Sequence, residues 1–224
     1  MDRPPLIPRG IDASLWLRLR DEAAKRAEGT EPAHDFAHVE RVLVNAVTIA
    51  RAESANEAVA GAAALLHELF NLPKSHPDSA KAGDLCAEHA RALLVREEAP
   101  AALVDPVCAA IRDHSFSKGV VPAALESRVL QDADRLDAIG AIGLARMWAT
   151  CADMKRPFYA PSDPFCRARA PDDKQWGLDH VFKKLLQIPS RLHLATSKRL
   201  ARERVAFLHV YMDQLRSEIG EAEL

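Results

Sequence analysis

The chain has 224 residues, 48% of them apolar, and a formal net charge of −2. That length admits one large domain or two small ones, and the near-neutral balance excludes a general electrostatic pull toward nucleic acid or an anionic membrane. The four cysteines, Cys86, Cys108, Cys151 and Cys166, show no CxxC spacing, which argues against a disulfide framework or a zinc ribbon and for a reducing setting.

Residues 1–11 hold Pro4, Pro5, Pro8 and Gly10 and read as an irregular lead-in. They carry no signal-peptide apolar core, and no apolar run approaches the roughly 20 residues of a membrane span, so a soluble cytoplasmic protein is expected. From Asp12 the spacing of Leu15, Leu19, Ala23 and Arg26 predicts a helix capped by Asp12 or Ser14 and ended by Gly29-Thr30-Glu31-Pro32. A second helix runs from about Asp35 to Glu53, with Val39, Val42, Leu43, Ala46 and Ala50 on one face. Ser54 or Asn56 starts a third, Gly61-Ala62-Ala63-Ala64-Leu65-Leu66-His67-Glu68-Leu69-Phe70, apolar nearly all round and therefore buried.

After a loop with Pro73 and Pro77, helices are predicted over about 79–97 and 101–113. Another begins near Ala123 and continues past Asp137 into Ala141-Ile142-Gly143-Leu144-Ala145-Arg146-Met147-Trp148. Met154 to Asp173 carries Pro157, Pro161, Pro164 and Pro171 with Phe158, Tyr159 and Phe165 interleaved. This stretch reads as a long ordered loop, a candidate lid whose aromatics either pack in the core or stack on a base. His180–Ile188 is predicted helical up to Pro189, and Arg191–Ile219 forms one long amphipathic helix. No strand signal is convincing. The expected fold is all-α, a single compact helical domain over residues 12–220.

Three segments set metal-ligand residue types into apolar helices: His34-Asp35-Phe36-Ala37-His38-Val39-Glu40-Arg41-Val42, then His67-Glu68, then Gln131-Asp132-Ala133-Asp134-Arg135-Leu136-Asp137. Leaving such groups buried and unpaired costs about 1–3 kcal/mol each. Each segment alone has a plain alternative: an N-cap with a surface His, a hydrogen-bonded core His, an acidic helix face paired with Arg128 and Arg135. Together they supply two imidazoles and two carboxylates, a mixed nitrogen and oxygen site for a divalent ion. Such an ion lowers the pKa of water and neutralises charge on a phosphorus centre.

The order His, then His-acid, then Ala-Asp-Arg-Leu resembles the HD-domain metal-dependent phosphohydrolases. Here it reads His38-Val39-Glu40-Arg41-Val42, Leu66-His67-Glu68 and Asp132-Ala133-Asp134-Arg135-Leu136-Asp137. His114-Ser115-Phe116-Ser117, Ala138-Ile139-Gly140-Ala141-Ile142-Gly143 and Asp179-His180-Val181-Phe182-Lys183-Lys184 are similar to a bacterial branch that includes a nucleoside-triphosphate pyrophosphohydrolase. The resemblance covers about residues 30–215. It implies His38, His67, Glu68 and Asp134 as metal ligands, with Asp132 an alternative. His38 is preferred to His34 because it stands three before Arg41. The chain departs from the family's His-Asp pair with His67-Glu68, whose carboxylate reaches one methylene farther.

Glu68, Asp134 and Arg135 are the expected catalytic residues. Arg41, His76, His114, Lys118, His180 and Lys184, with Lys74 ranked lower, are candidates to contact the substrate. The implied activity is metal-dependent hydrolysis of a small phosphorylated compound, a nucleotide first of all. Mn²⁺ or Mg²⁺ is the expected ion, and Fe²⁺, Co²⁺ and Ni²⁺ also fit. No nucleic-acid polymer or membrane partner is expected, and the assembly is a monomer or homodimer. The alternative is a degenerate HD domain that senses a nucleotide or metal with little catalysis.

Overall fold

The computed structural model describes residues 4–29, 35–72, 76–78, 81–114 and 121–220. Within them lie nine α-helices and no strand: α1 Ala13–Arg26, α2 Phe36–Ala52, α3 Glu57–Leu66, α4 Ala82–Arg96, α5 Ala101–His114, α6 Leu125–Asp137, α7 Gly140–Asp153, α8 Asp179–Lys183 and α9 Ala195–Glu218. A 3₁₀ turn, Leu185–Arg191, follows α8. The fold is all-α, as the sequence predicts. The chain divides into two compact units, residues 1–134 and 135–224, and α6 is the element that crosses from one to the other.

Local capping chemistry sets the first unit. The Asp12 carboxylate accepts from Leu15 N at 2.9 Å and Asp35 from His38 N at 2.8 Å. Asn56 accepts from Ala58 N and Val59 N at 3.0 and 3.2 Å. Each side chain satisfies amide groups that the first turn leaves without a helical partner. All ten residues of α3 are buried. It packs on α1, α2 and α5, while α4 packs on α5. Gly61 is needed because Pro8 of the lead-in lies against it, where a Cβ would stand. In the second unit α7 packs on α9, and α8 on the 3₁₀ turn.

Four boundaries differ from the sequence reading. First, α3 ends at Leu66, so His67 caps it and Glu68 follows in the turn, outside the helix. The Cys86 thiol lies 3.5 and 3.2 Å from the Leu66 and His67 carbonyl oxygens and donates to them, serving acceptors that a helix end leaves open. Second, the helix expected to run through Asp137 breaks at Ala138–Ile139, and α7 starts at Gly140 with φ +80°. Buried Asp137 is held by Arg146 at 2.6 Å, Arg204 donates to the Leu136 carbonyl, and the Arg204 side chain lies on Gly140. Third, α8 is only five residues long, and the 3₁₀ turn runs through Pro189 instead of stopping there. Fourth, the long helix expected from Arg191 starts at Ala195, because Arg191 closes the 3₁₀ turn.

The proline-rich segment is ordered by polar contacts. The Asp163 carboxylate accepts from Arg167 N and Ala168 N, both at 2.9 Å. Buried Asp179 takes a two-pronged pair from Arg169 and a bond from Asp172 N at 2.6 Å. Phe165 is buried under the Arg216 guanidinium, while Phe158 stays exposed with its ring edge-on to Trp148.

Candidate metal centre

His38 stands in the first turn of α2, its amide fixed by the Asp35 cap and its side chain almost fully buried. His67 is buried at the end of α3, and its Nδ1 lies 2.7 Å from the Ala64 carbonyl oxygen. A carbonyl only accepts, so Nδ1 carries the proton and Nε2 presents its lone pair. Burial above all, then the charges of His38 and, to a smaller degree, His114, press the His67 pKa down to about 3, against the pull of Asp134. At neutral pH this imidazole is therefore a neutral donor.

That lone pair faces a small cluster. His67 Nε2 is 3.3 Å from His38 Nε2, and His38 Nε2 is 3.6 Å from Asp134 Oδ1 on α6. One ligand atom from each of these three residues lies within 4.8 Å of the others. With bonds of about 2.1 Å, neighbouring ligand atoms around one ion stand about 3.0 Å apart in an octahedron and about 3.4 Å apart in a tetrahedron. The two imidazoles and the carboxylate are therefore spaced as ligands of a single divalent cation.

Glu68 lies beside that group rather than in it. Its Oε1 is 3.9 Å from His67 Nε2, and its Oε2 accepts from Asn71 Nδ2 at 3.2 Å. His114, the last residue of α5, donates from Nδ1 to the Ile111 carbonyl and stands edge-on to His67, ring centroids 5.4 Å apart. A cavity of 60 Å³ lined by His67, Glu68, Phe70, Asn71, Ala82, Gly83, Cys86 and His114 opens there. A larger groove of 420 Å³ over α4 and α5 is lined by none of the cluster residues. Donor chemistry, not volume, distinguishes the smaller cavity.

Arg41 is half-buried on α2, Asp132 is fully buried on α6, and His76 is exposed with Nδ1 accepting from Asp78 N at 3.1 Å. Arg135 donates to the Arg191 carbonyl at 2.6 Å and approaches His193 Nε2 to 3.3 Å. His180 and Lys184 belong to the second unit and both meet Asp173. His34, Lys74 and Lys118 lie outside the described residues. Sequence reasoning missed Asn71 and Cys86. The amide sits three residues after Glu68, a readable spacing, but nothing local points to a thiol 19 residues from His67.

Two buried imidazoles and an α6 carboxylate thus gather near helix ends in an all-α chain. The HD-domain family model matches residues 35–139, a span that contains His38, His67 and Asp134. The Bacillus subtilis protein YpgQ is 31% identical over 190 residues, 83% of this chain and 84% of that protein. The chain belongs to the HD-domain family.

The crystal structure of YpgQ in complex with ADP superposes with a TM-score of 0.71 at 29% identity, covering 92% of this chain and 95% of that one. A Lactobacillus plantarum structure gives 0.72 at 28%, covering 95% and 100%. An HD-superfamily hydrolase from Bacillus thuringiensis gives 0.71 at 24%, covering 93% and 100%, a likeness of fold alone.

Proposed function

We propose that the protein is a metal-dependent phosphohydrolase acting on a nucleotide or a related small phosphorylated compound. The observation that carries this reading is the convergence of His38, His67 and Asp134 to within 4.8 Å. His38 and His67 would hold the ion through Nε2 and Asp134 through its carboxylate. A divalent ion held there would polarise a phosphoryl group and bring the pKa of a water toward neutrality. Mn²⁺ and Mg²⁺ suit this nitrogen and oxygen set, and Fe²⁺, Co²⁺ and Ni²⁺ are compatible with it.

The protein's own groups do the rest. Ala64 fixes the His67 tautomer, Asn71 orients Glu68 toward His67, and His114 walls the adjoining cavity. Arg41, His76 and Lys118 are the proposed phosphate contacts, Arg135 a further cation at the end of α6. The ADP in the YpgQ structure supports a nucleotide as ligand. In the finer form of the proposal, a nucleoside triphosphate loses pyrophosphate in the cytoplasm.

Glu68 supports a second reading, a nucleotide or metal sensor with little turnover, because its carboxylate stands outside the three-residue group. A screen of nucleotides and phosphomonoesters with each of the five ions, scoring phosphate and pyrophosphate separately, tests the proposal. Turnover that disappears in His67→Gln and Asp134→Asn is expected. Binding of metal and nucleotide without turnover selects the sensor, and binding of neither removes both.

A further inference from the structure

His38, Val42, Asn45 and Ile49 follow one another on α2 at the spacing of a single helix face, and all four are buried. Val42 and Ile49 belong to the apolar core, and His38 to the proposed centre. Asn45, 7% exposed, is an amide among apolar side chains. Such a group has to be hydrogen-bonded or it costs stability. Its Nδ2 donates to the Ala133 carbonyl of α6 at 3.1 Å. That carbonyl belongs to the peptide group that joins Ala133 to Asp134.

A second buried amide acts on the same stretch of α6. Gln131 is 1% exposed, and its Nε2 donates to the Asp113 carbonyl at 3.0 Å. Asp113 is the residue before the end of α5, so its carbonyl has no helical amide to serve. Thus α6 is tied to α2 one residue before Asp134 and to α5 three residues before it. These two bonds and the His38, His67 and Asp134 cluster all lie in the first unit.

An ion makes strict demands on such a helix. A carboxylate about 5 Å from the axis of its helix moves roughly 1.7 Å when the helix turns by about 20°, whereas metal–ligand bonds hold to within about 0.2 Å. Apolar burial has no direction of its own. A buried hydrogen bond has both a length and a direction, and is costly to leave unmade. We infer that Asn45, with Gln131, is a positioning residue of the proposed metal centre: the two amides set the height and rotation of α6 at which the Asp134 carboxylate meets His38 and His67. Asn45 shares α2 with His38, so its bond to Ala133 joins the helices of two ligands whose nearest atoms stand 3.6 Å apart. The inference rests on reading that cluster as a metal centre.

Calorimetric titration of the full chain with Mn²⁺ tests it, together with the visible spectrum of the Co²⁺-loaded protein, which reports the number and arrangement of ligands. Asn45→Leu keeps the branched shape of the side chain and Gln131→Met its length, and each removes the donor. Mn²⁺ affinity is expected to fall about tenfold or more in Asn45→Leu, with a loss of the same sign in Gln131→Met and an altered Co²⁺ spectrum in both. Leu19→Ala, a cavity in the core face of α1, is the control: it lowers the melting temperature and leaves affinity and spectrum at their wild-type values. Circular dichroism checks folding, and Gln131→Met decides if Asn45→Leu does not fold. Wild-type affinity and spectrum in both amide variants, or an equal loss in Leu19→Ala, would overturn the inference and leave the metal reading standing. A wild type that binds none of Mn²⁺, Mg²⁺, Fe²⁺, Co²⁺ or Ni²⁺ removes that reading, and this inference with it.

Discussion

Glu68 joins the two chemical questions at the proposed centre, whether an ion is held and whether it turns substrate over. Asn71 draws one carboxylate oxygen while the other faces His67. If that carboxylate helps to hold the ion, Glu68→Gln should lower Mn²⁺ affinity and turnover together. Asn71→Ala should weaken binding by about 10–100-fold, the usual effect of removing a group that orients a ligand. Glu68→Asp restores the family's pair but gives up the reach to Asn71. Titration of Mn²⁺ into all three variants settles the matter, and three wild-type affinities would place Glu68 outside the centre.

His67 makes a second prediction at the same scale. The folded chain keeps it neutral down to a pKa of about 3, whereas an unfolded His takes a proton near 6.5. The unfolded state therefore binds more protons between these values. The stabilising difference is complete above pH 6.5 and declines by up to roughly 1.4 kcal/mol per pH unit as pH falls toward 3. Melting curves of chelated protein from pH 7.5 to 4.5 should show the decline, and His67→Gln should flatten it. An unchanged acid slope in that variant would mean other groups govern acid unfolding.

Among the elements, α3 sets opposing effects against each other. Gly61→Ala gains about 1 kcal/mol in helix propensity, but the new methyl group meets Pro8, and overpacking costs about 1–3 kcal/mol. The expected balance is a loss on the order of 1 kcal/mol, which is a drop of about 2–4 °C in a melting curve for a chain of this size. A rise instead would mean that the lead-in gives way easily.

The same helix shows what was legible in the sequence. Its start, left between Ser54 and Asn56 by the sequence and made at Asn56, and its burial follow from a cap and a nearly all-apolar run, both local signals. Its end does not, because the carbonyls of Leu66 and His67 are met by Cys86, 20 and 19 residues away. The break between α6 and α7 depends on Arg204, 68 residues beyond Leu136. In the candidate centre, His38, His67 and Asp134 stood out as polar groups in apolar runs. The neighbours that orient them belong to tertiary packing, which periodicity does not carry.

For the molecule as a whole, an ion that binds only the folded chain adds stability by mass action. At a free Mn²⁺ concentration 100 times its Kd the gain is about 2.7 kcal/mol, roughly 5–10 °C in melting temperature. The shift should appear in wild type and vanish in Asp134→Asn. No shift with any of Mn²⁺, Mg²⁺, Fe²⁺, Co²⁺ or Ni²⁺ would leave the cluster as a polar network without an ion. Among the described residues no helix is long and apolar enough to cross a membrane.

The buried sulfur in the cavity wall bears on which ion is found after purification. Burial pushes the Cys86 thiol up to about 12, so at neutral pH it keeps its proton and offers no thiolate. The donors beside it are imidazole nitrogen and carboxylate oxygen, which do not single out thiophilic ions such as Cu⁺. Selection at such a centre falls to supply. Protein grown or purified in different media should carry different ions, and elemental analysis of a single batch will describe its history as much as its preference.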